Sequence, residues 1–102
     1  MGIERRKYHR VPLVIEGECS QSGTSFLLPT RDLSLGGLFL HTKENFPADT
    51  VLHLRFYVDE KTLIEAEGRV AYTVPGVGVG VEFTDLPKSH REALTNFLAT
   101  RN

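Results

Sequence analysis

Arg6 and Arg10 stand four residues apart in Glu4-Arg5-Arg6-Lys7-Tyr8-His9-Arg10, and Asp32 and Ser34 lead into Gly36 and Gly37 in Arg31-Asp32-Leu33-Ser34-Leu35-Gly36-Gly37. Arginines carry forked donors that match phosphate oxygens two at a time and also grip the O6/N7 edge of guanine. A carboxylate such as Asp32 accepts from guanine's N1–H and N2–H₂. On a strand end, Asp32 and Ser34 fall on one face while Leu33 and Leu35 point to the core, so the carboxylate and the hydroxyl are expected to face outward together. Gly36 and Gly37 can take positive φ and leave backbone groups open to a close ligand. Taken together, the two stretches describe a site for a guanine nucleotide. Taken alone, the second is equally a hairpin turn with Asp and Ser as turn formers.

The charge distribution points the same way. The formal net charge is −1, but residues 1–10 carry four Lys and Arg against one acid, and residues 11–102 carry eight against twelve. The balance is too even for a general nucleic-acid or membrane binder, so any polyanion contact must be local to the amino-terminal segment. Residues 1–10 are accordingly expected to form a flexible basic clasp ahead of a domain spanning 11–102.

Little supports catalysis. His9, His41, His53 and His90 lie far apart, without an H-x-x-H or H-E-x-x-H spacing, and no serine occupies a G-x-S-x-G elbow. Glu65 and Glu67 alternate on one strand face, which is more simply a solvated outer face than a catalytic pair. Cys19 is the single cysteine and has no partner for a disulfide or a thiolate metal site. It is expected to be a small buried thiol. No enzyme activity, metal or cofactor is expected. The chain opens on charged residues and contains nothing near 18 continuous apolar residues, so a cytoplasmic location and no membrane insertion are expected.

Positioning these residues requires a framework, and 102 residues suffice for one core. From Val11 to Phe83 apolar residues recur mostly at every second position and are interrupted at short intervals by Gly, Pro, Asn or Asp. This predicts strands over Val11–Cys19, Thr24–Leu33, Gly37–His41, Val51–Val58, Thr62–Val74 and Gly78–Thr84, with turn chemistry at residues 45–49 and 58–61. Six such strands satisfy their edges most easily by curling into an antiparallel barrel. In residues 76–83, Val77, Val79, Val81 and Phe83 share one face, and Gly76, Gly78 and Gly80 leave the other bare for a neighbouring element to approach. The spacing fits neither G-x-G-x-x-G nor the phosphate-binding G-x-x-x-x-G-K-[ST] loop. After Pro87, Ser89 and Glu92 have the spacing of a capping box, and Leu94, Phe97 and Leu98 line one helical face. A single carboxy-terminal helix is therefore expected to cover a barrel opening.

Residues 6–10 fit R-x-x-x-R and residues 32–37 fit [DN]-x-S-x-x-G, in the order and separation seen in PilZ domains. With the strand Val-Gly-Val-Glu-Phe and the terminal helix, the chain resembles a stand-alone PilZ domain from about Arg5 to Leu98. The resemblance implies a mainly β fold, a six-stranded antiparallel barrel with a carboxy-terminal helix. It also implies a receptor for the bacterial second messenger cyclic di-GMP. Carried onto this chain, Arg6 and Arg10 would hold phosphates and guanine edges, Asp32 would take a guanine's amino and imino protons, and Ser34 with the Gly36–Gly37 backbone would complete the floor. Arg5, directly before the pair, is placed to stack on a second guanine, which leads to the expectation that an intercalated dimer of the ligand is accepted. Closing the clasp would change the surface shown to an unidentified effector protein. The alternative is a PilZ-like protein–protein adaptor without nucleotide binding. A small RNA-binding barrel is disfavoured by the acidic remainder of the chain.

Overall fold

The computed structural model describes residues 11–13, 15–44 and 46–100. Alternation sets the strands. In β5 (Val51–Tyr57), Leu52, Leu54 and Phe56 are buried while Val51, His53, Arg55 and Tyr57 are exposed, the period of two that a half-buried strand demands. The remaining strands are β1 (Val11–Pro12), β2 (Glu16–Gln21), β3 (Thr24–Leu33), β4 (Gly37–His41), β6 (Leu63–Val74) and β7 (Gly78–Asp85). All pairings are antiparallel. They run β3-β2-β5-β6-β7-β4, and β4 pairs back onto β3 to close a six-stranded barrel. Closure removes the exposed edges that an open sheet of this size would present.

The strand expected over Val11–Cys19 is broken. Its ladder along β3 slips by one residue between Glu16↔Pro29 and Pro12↔Asp32, which divides it into β1 and β2. The buried Thr30 bridges the break: its hydroxyl donates to the Leu13 carbonyl at 2.7 Å and accepts from the Ile15 amide at 3.2 Å. Without that hydroxyl, two polar groups at a strand break would lose their partners, which costs about 1–3 kcal/mol for each that is buried.

The core is filled by Cys19, Leu33, Leu38, Leu40, Leu52, Leu54, Phe56, Ile64, Val70, Val79 and Val81, with Leu94 and Phe97 of the helix α1 (Lys88–Ala99) packed into the same cluster. The helix thus meets the barrel on its predicted apolar face. The capping box does not form. Pro87, at φ −54° and ψ 149°, is the residue at the helix start, there is no side-chain cap, and the Pro87 carbonyl accepts from the Arg91 amide at 2.8 Å. With the first turn closed on Pro87, Ser89 already lies inside the helix. Docking instead uses His90, whose Nδ1 lies 3.1 Å from the Leu63 carbonyl oxygen and 3.3 Å from the Glu65 amide nitrogen. Between β5 and β6, the Asp59 carboxylate accepts from the Lys61 and Thr62 amides, so that turn follows its sequence chemistry.

Cys19 is fully buried on β2, and burial pushes its thiol up to about 11. Little thiolate then exists near neutral pH, and the thiolate is the reactive form. We expect iodoacetamide at pH 8 to leave the native chain unmodified for hours and to label it within minutes in denaturant, as read by mass spectrometry. Rapid labelling of the native chain would show that β2 opens readily.

Candidate functional site

The outer faces of the barrel differ. Across β2, β5 and β6 the outward residues are charged and interlocked. Arg55 donates to Glu65 at 2.9 Å and to Glu18 at 3.3 Å, and Arg69 to Asp49 at 2.6 Å and to Glu82 at 2.7 Å. The bonds to Glu18 and Glu65 push the Arg55 guanidinium still further toward its charged form. A shallow groove on this side is lined by Glu18, Glu65, Glu67 and Asp85, with His53 and Arg55 among them. Its carboxylates repel a phosphate, so this face does not suit a nucleotide.

Across β3, β4 and β7 the surface is built otherwise. In β4, Leu38 and Leu40 enter the core while Phe39 points outward, yet Phe39 is fully buried. Its ring lies over Gly78, where an added Cβ would strike the Leu40 carbonyl and come within 2.6 Å of the ring. At Gly80 a Cβ would strike the ring of Tyr72. The bare glycine face is therefore real at Gly78 and Gly80, where aromatic rings cover it, whereas Gly76 lies in the turn before β7 with open space beside it and Val77 is exposed rather than in the core. Phe39 and Tyr72 have ring centroids 6.2 Å apart, and the Arg31 guanidinium lies 4.0 Å above Phe39 on a line typical of cation–π contact.

Asp32, the last residue but one of β3, lies beside these groups. It pairs with Phe39 on one side and Pro12 on the other, its side chain is 14% exposed, and its Oδ2 accepts from Arg31 Nε at 3.1 Å. The β3–β4 ladder slips between Thr30↔Leu40 and Asp32↔Phe39, leaving Arg31 as the extra residue of a bulge. Strict alternation would send Arg31 inward with Leu33. The bulge re-aims it, so that Arg31 and Asp32 share the outer face.

Ser34 differs from expectation. It is buried, and its hydroxyl serves the turn rather than facing outward with Asp32: Oγ accepts from the Gly36 amide at 3.0 Å and donates to the Gly37 carbonyl at 3.4 Å. The Ser34 amide also donates to that carbonyl, at 2.9 Å, so residues 34–37 form a tight hairpin connection. Among the described residues the positive-φ glycines are Gly23 and Gly76, so Gly36 and Gly37 are not of that kind. Gly37 is required for space instead, because a Cβ there would overlap the Val81 carbonyl. The Gly36 carbonyl accepts from the Phe83 amide at 2.8 Å, tying the turn to β7. The structure thus brings Asp32, Ser34, Gly36 and Gly37 together at one end of the β3–β4 hairpin. Arg5, Arg6 and Arg10, with the whole expected clasp over residues 1–10, lie outside the described residues.

Arg31 belongs to neither motif: period-two alternation back from Leu33 would send it inward, and only the bulge brings it beside Asp32. Among the described residues, no group of three His, Cys, Asp or Glu side chains is placed to hold a metal ion. No helix among them is long and apolar enough to cross a membrane.

The PilZ domain family model matches residues 4–100. Among solved structures, the chain is similar to the Bacillus subtilis inhibitor of motility (MotI/DgrA), with TM-score 0.81 and 19% identity over 96% of this chain and 51% of that one. It is similar to the Borreliella burgdorferi PlzA protein in complex with c-di-GMP, with TM-score 0.71 and 16% identity over 94% of this chain and 42% of that one. It is also similar to the PilZ domain with c-di-GMP of YcgR from Escherichia coli, with TM-score 0.71 and 12% identity over 96% of this chain and 92% of that one. The chain spans about half the length of the first two. No curated protein matches it.

Proposed function

The chain belongs to the PilZ domain family, and from that premise we propose that it is a receptor for cyclic di-GMP, binding it without catalysis and passing the signal to a protein partner. The observation that carries the proposal is the placement of Asp32 on the outer face at the end of the β3–β4 hairpin, within the second of two motifs whose donors and acceptors match guanine and phosphate. Two of the structural relatives were solved with c-di-GMP bound, which supports the choice of ligand.

In this reading Asp32 accepts from a guanine's N1–H and N2–H₂. Ser34 acts through the turn, holding Gly36 and Gly37 where their backbone can floor the site. Arg6 and Arg10 carry the phosphates and guanine edges from the amino-terminal segment, and Arg5 stacks on a second guanine, so that two intercalated ligand molecules fill the site. Binding neutralises a cationic arm and orders it against the barrel, and a cytoplasmic effector distinguishes the two surfaces. A ligand that selects the closed arrangement shifts its population by its differential affinity for it.

Titration calorimetry with cyclic di-GMP, and with GTP as the control, tests the receptor role. Saturable binding of cyclic di-GMP at two ligands per chain, lost in Arg6→Ala and Arg10→Ala, is expected. Folded protein that gives no heat would favour the adaptor alternative. Hydrogen exchange adds a local readout: amides of residues 4–10 are expected to exchange freely without ligand and to slow at saturation, and unchanged exchange would reject the clasp.

A further inference from the structure

We propose that Arg31 is a specificity-determining residue of the cyclic di-GMP site, reading guanine O6 beside Asp32; this rests on the receptor reading above. The Watson–Crick edge of guanine presents, in a row, the N2–H donor, the N1–H donor and the O6 acceptor. A carboxylate alone answers the first two. The third needs a donor held next to the carboxylate and on the same face, which a regular strand cannot supply from the adjacent residue because neighbours point to opposite faces.

The bulge at Arg31 removes that obstacle. The slip from Thr30↔Leu40 to Asp32↔Phe39 places Arg31 and Asp32 on one face, and the Nε–Oδ2 bond at 3.1 Å fixes the guanidinium edge against the carboxylate. A guanidinium has five N–H donors, and this bond uses one. Phe39 supports the group from behind, 4.0 Å from the guanidinium carbon to the ring centroid, so its position is set before any ligand arrives. Phe39 itself cannot give way, since it is fully buried over Gly78. The side chain of Arg31 nevertheless remains 47% exposed, which leaves it accessible to a base.

Asp32 and Arg31 therefore offer acceptor, acceptor, donor, the order a cytosine offers to guanine. Adenine presents an acceptor at N1 and a donor at N6, which oppose the carboxylate and the guanidinium in turn. Discrimination of this kind rests on unpaired groups in the wrong complex and is strong for that reason.

The test uses calorimetry with cyclic di-GMP and with its analogue in which 6-thioguanine replaces guanine. Sulfur at position 6 is a poor acceptor, while N1–H and N2–H₂ are kept. The wild-type chain is expected to bind the thio analogue about tenfold more weakly, and Arg31→Ala to bind cyclic di-GMP about tenfold more weakly with a clearly smaller difference between the two ligands, what is left of it belonging to the guanine edges that Arg6 and Arg10 hold. Arg31→Met, which keeps a long side chain over Phe39 but carries no N–H donor, gives the same readout if the alanine variant melts early. An equal oxygen-to-sulfur penalty in wild type and variant, or none in wild type, would overturn the role of Arg31 and leave the receptor standing. Failure of the wild-type chain to bind cyclic di-GMP at all would overturn both.

Discussion

Gly37→Ala is expected to cost about 3 kcal/mol of stability, a fall in the midpoint of denaturant unfolding at unchanged slope. The added methyl would overlap the Val81 carbonyl and lie 3.0 Å from its carbon and 3.1 Å from the Glu82 Cα. All three are backbone atoms of the paired strand β7, so no flexible side chain can move aside. Relief requires β4 and β7 to separate, at the cost of ladder hydrogen bonds. Gly17→Ala is the matched control. Its Cβ would meet Phe56 Cβ at 3.5 Å and two carbonyl oxygens at 3.8 and 3.9 Å, which are ordinary contacts. That variant is expected to be neutral or stabilised by up to about 1 kcal/mol, through reduced freedom of the unfolded chain. Equal stability of the two variants would show that the β4–β7 seam spreads without penalty.

Asp32→Ala is expected to weaken cyclic di-GMP binding at least a hundredfold while leaving the circular dichroism spectrum unchanged. Two hydrogen bonds from guanine to a carboxylate contribute about 1.5–3 kcal/mol each, and their joint loss corresponds to about 10²–10⁴ in affinity. Asp32→Asn keeps one acceptor oxygen and introduces a donor facing the guanine donors, so it should bind at an intermediate level. Titration of the three proteins side by side checks the order. Wild-type affinity in the alanine variant would remove Asp32 from the site.

Much of this architecture was legible because each strand carries its own signal. Leu52, Leu54 and Phe56 alternate without interruption, and Ile64, Ala66 and Val70 do the same in β6; these strands lie where their patterns put them. The glycines of β7 likewise announced a close neighbour, found in Phe39 and Tyr72. What escaped prediction depends on the partner strand. The break at Leu13–Ile15 and the bulge at Arg31 are register slips, settled by how β3 must meet two neighbours at once. A pattern of period two contains no trace of a slip, so nothing in it places Arg31 beside Asp32. Ser34 failed for a related reason: its hydroxyl has backbone groups within reach only once the hairpin has closed. The helix start was misplaced because Pro87, with its fixed φ and its carbonyl accepting from Arg91, begins the first turn before Ser89 can cap it. The grouping of Asp32, Ser34, Gly36 and Gly37 at one hairpin was therefore legible, and the orientations of Ser34 and Arg31 were not.

The most direct test of the central claim is a nuclear magnetic resonance titration of the ¹⁵N-labelled chain with cyclic di-GMP, followed residue by residue. Bound ligand at the β3–β4 hairpin predicts saturable shifts at the amides of Asp32, Gly36 and Gly37, with Arg55, Glu65 and Glu67 on the acidic face unmoved. Shifts confined to that acidic face, or none at millimolar ligand, would contradict it.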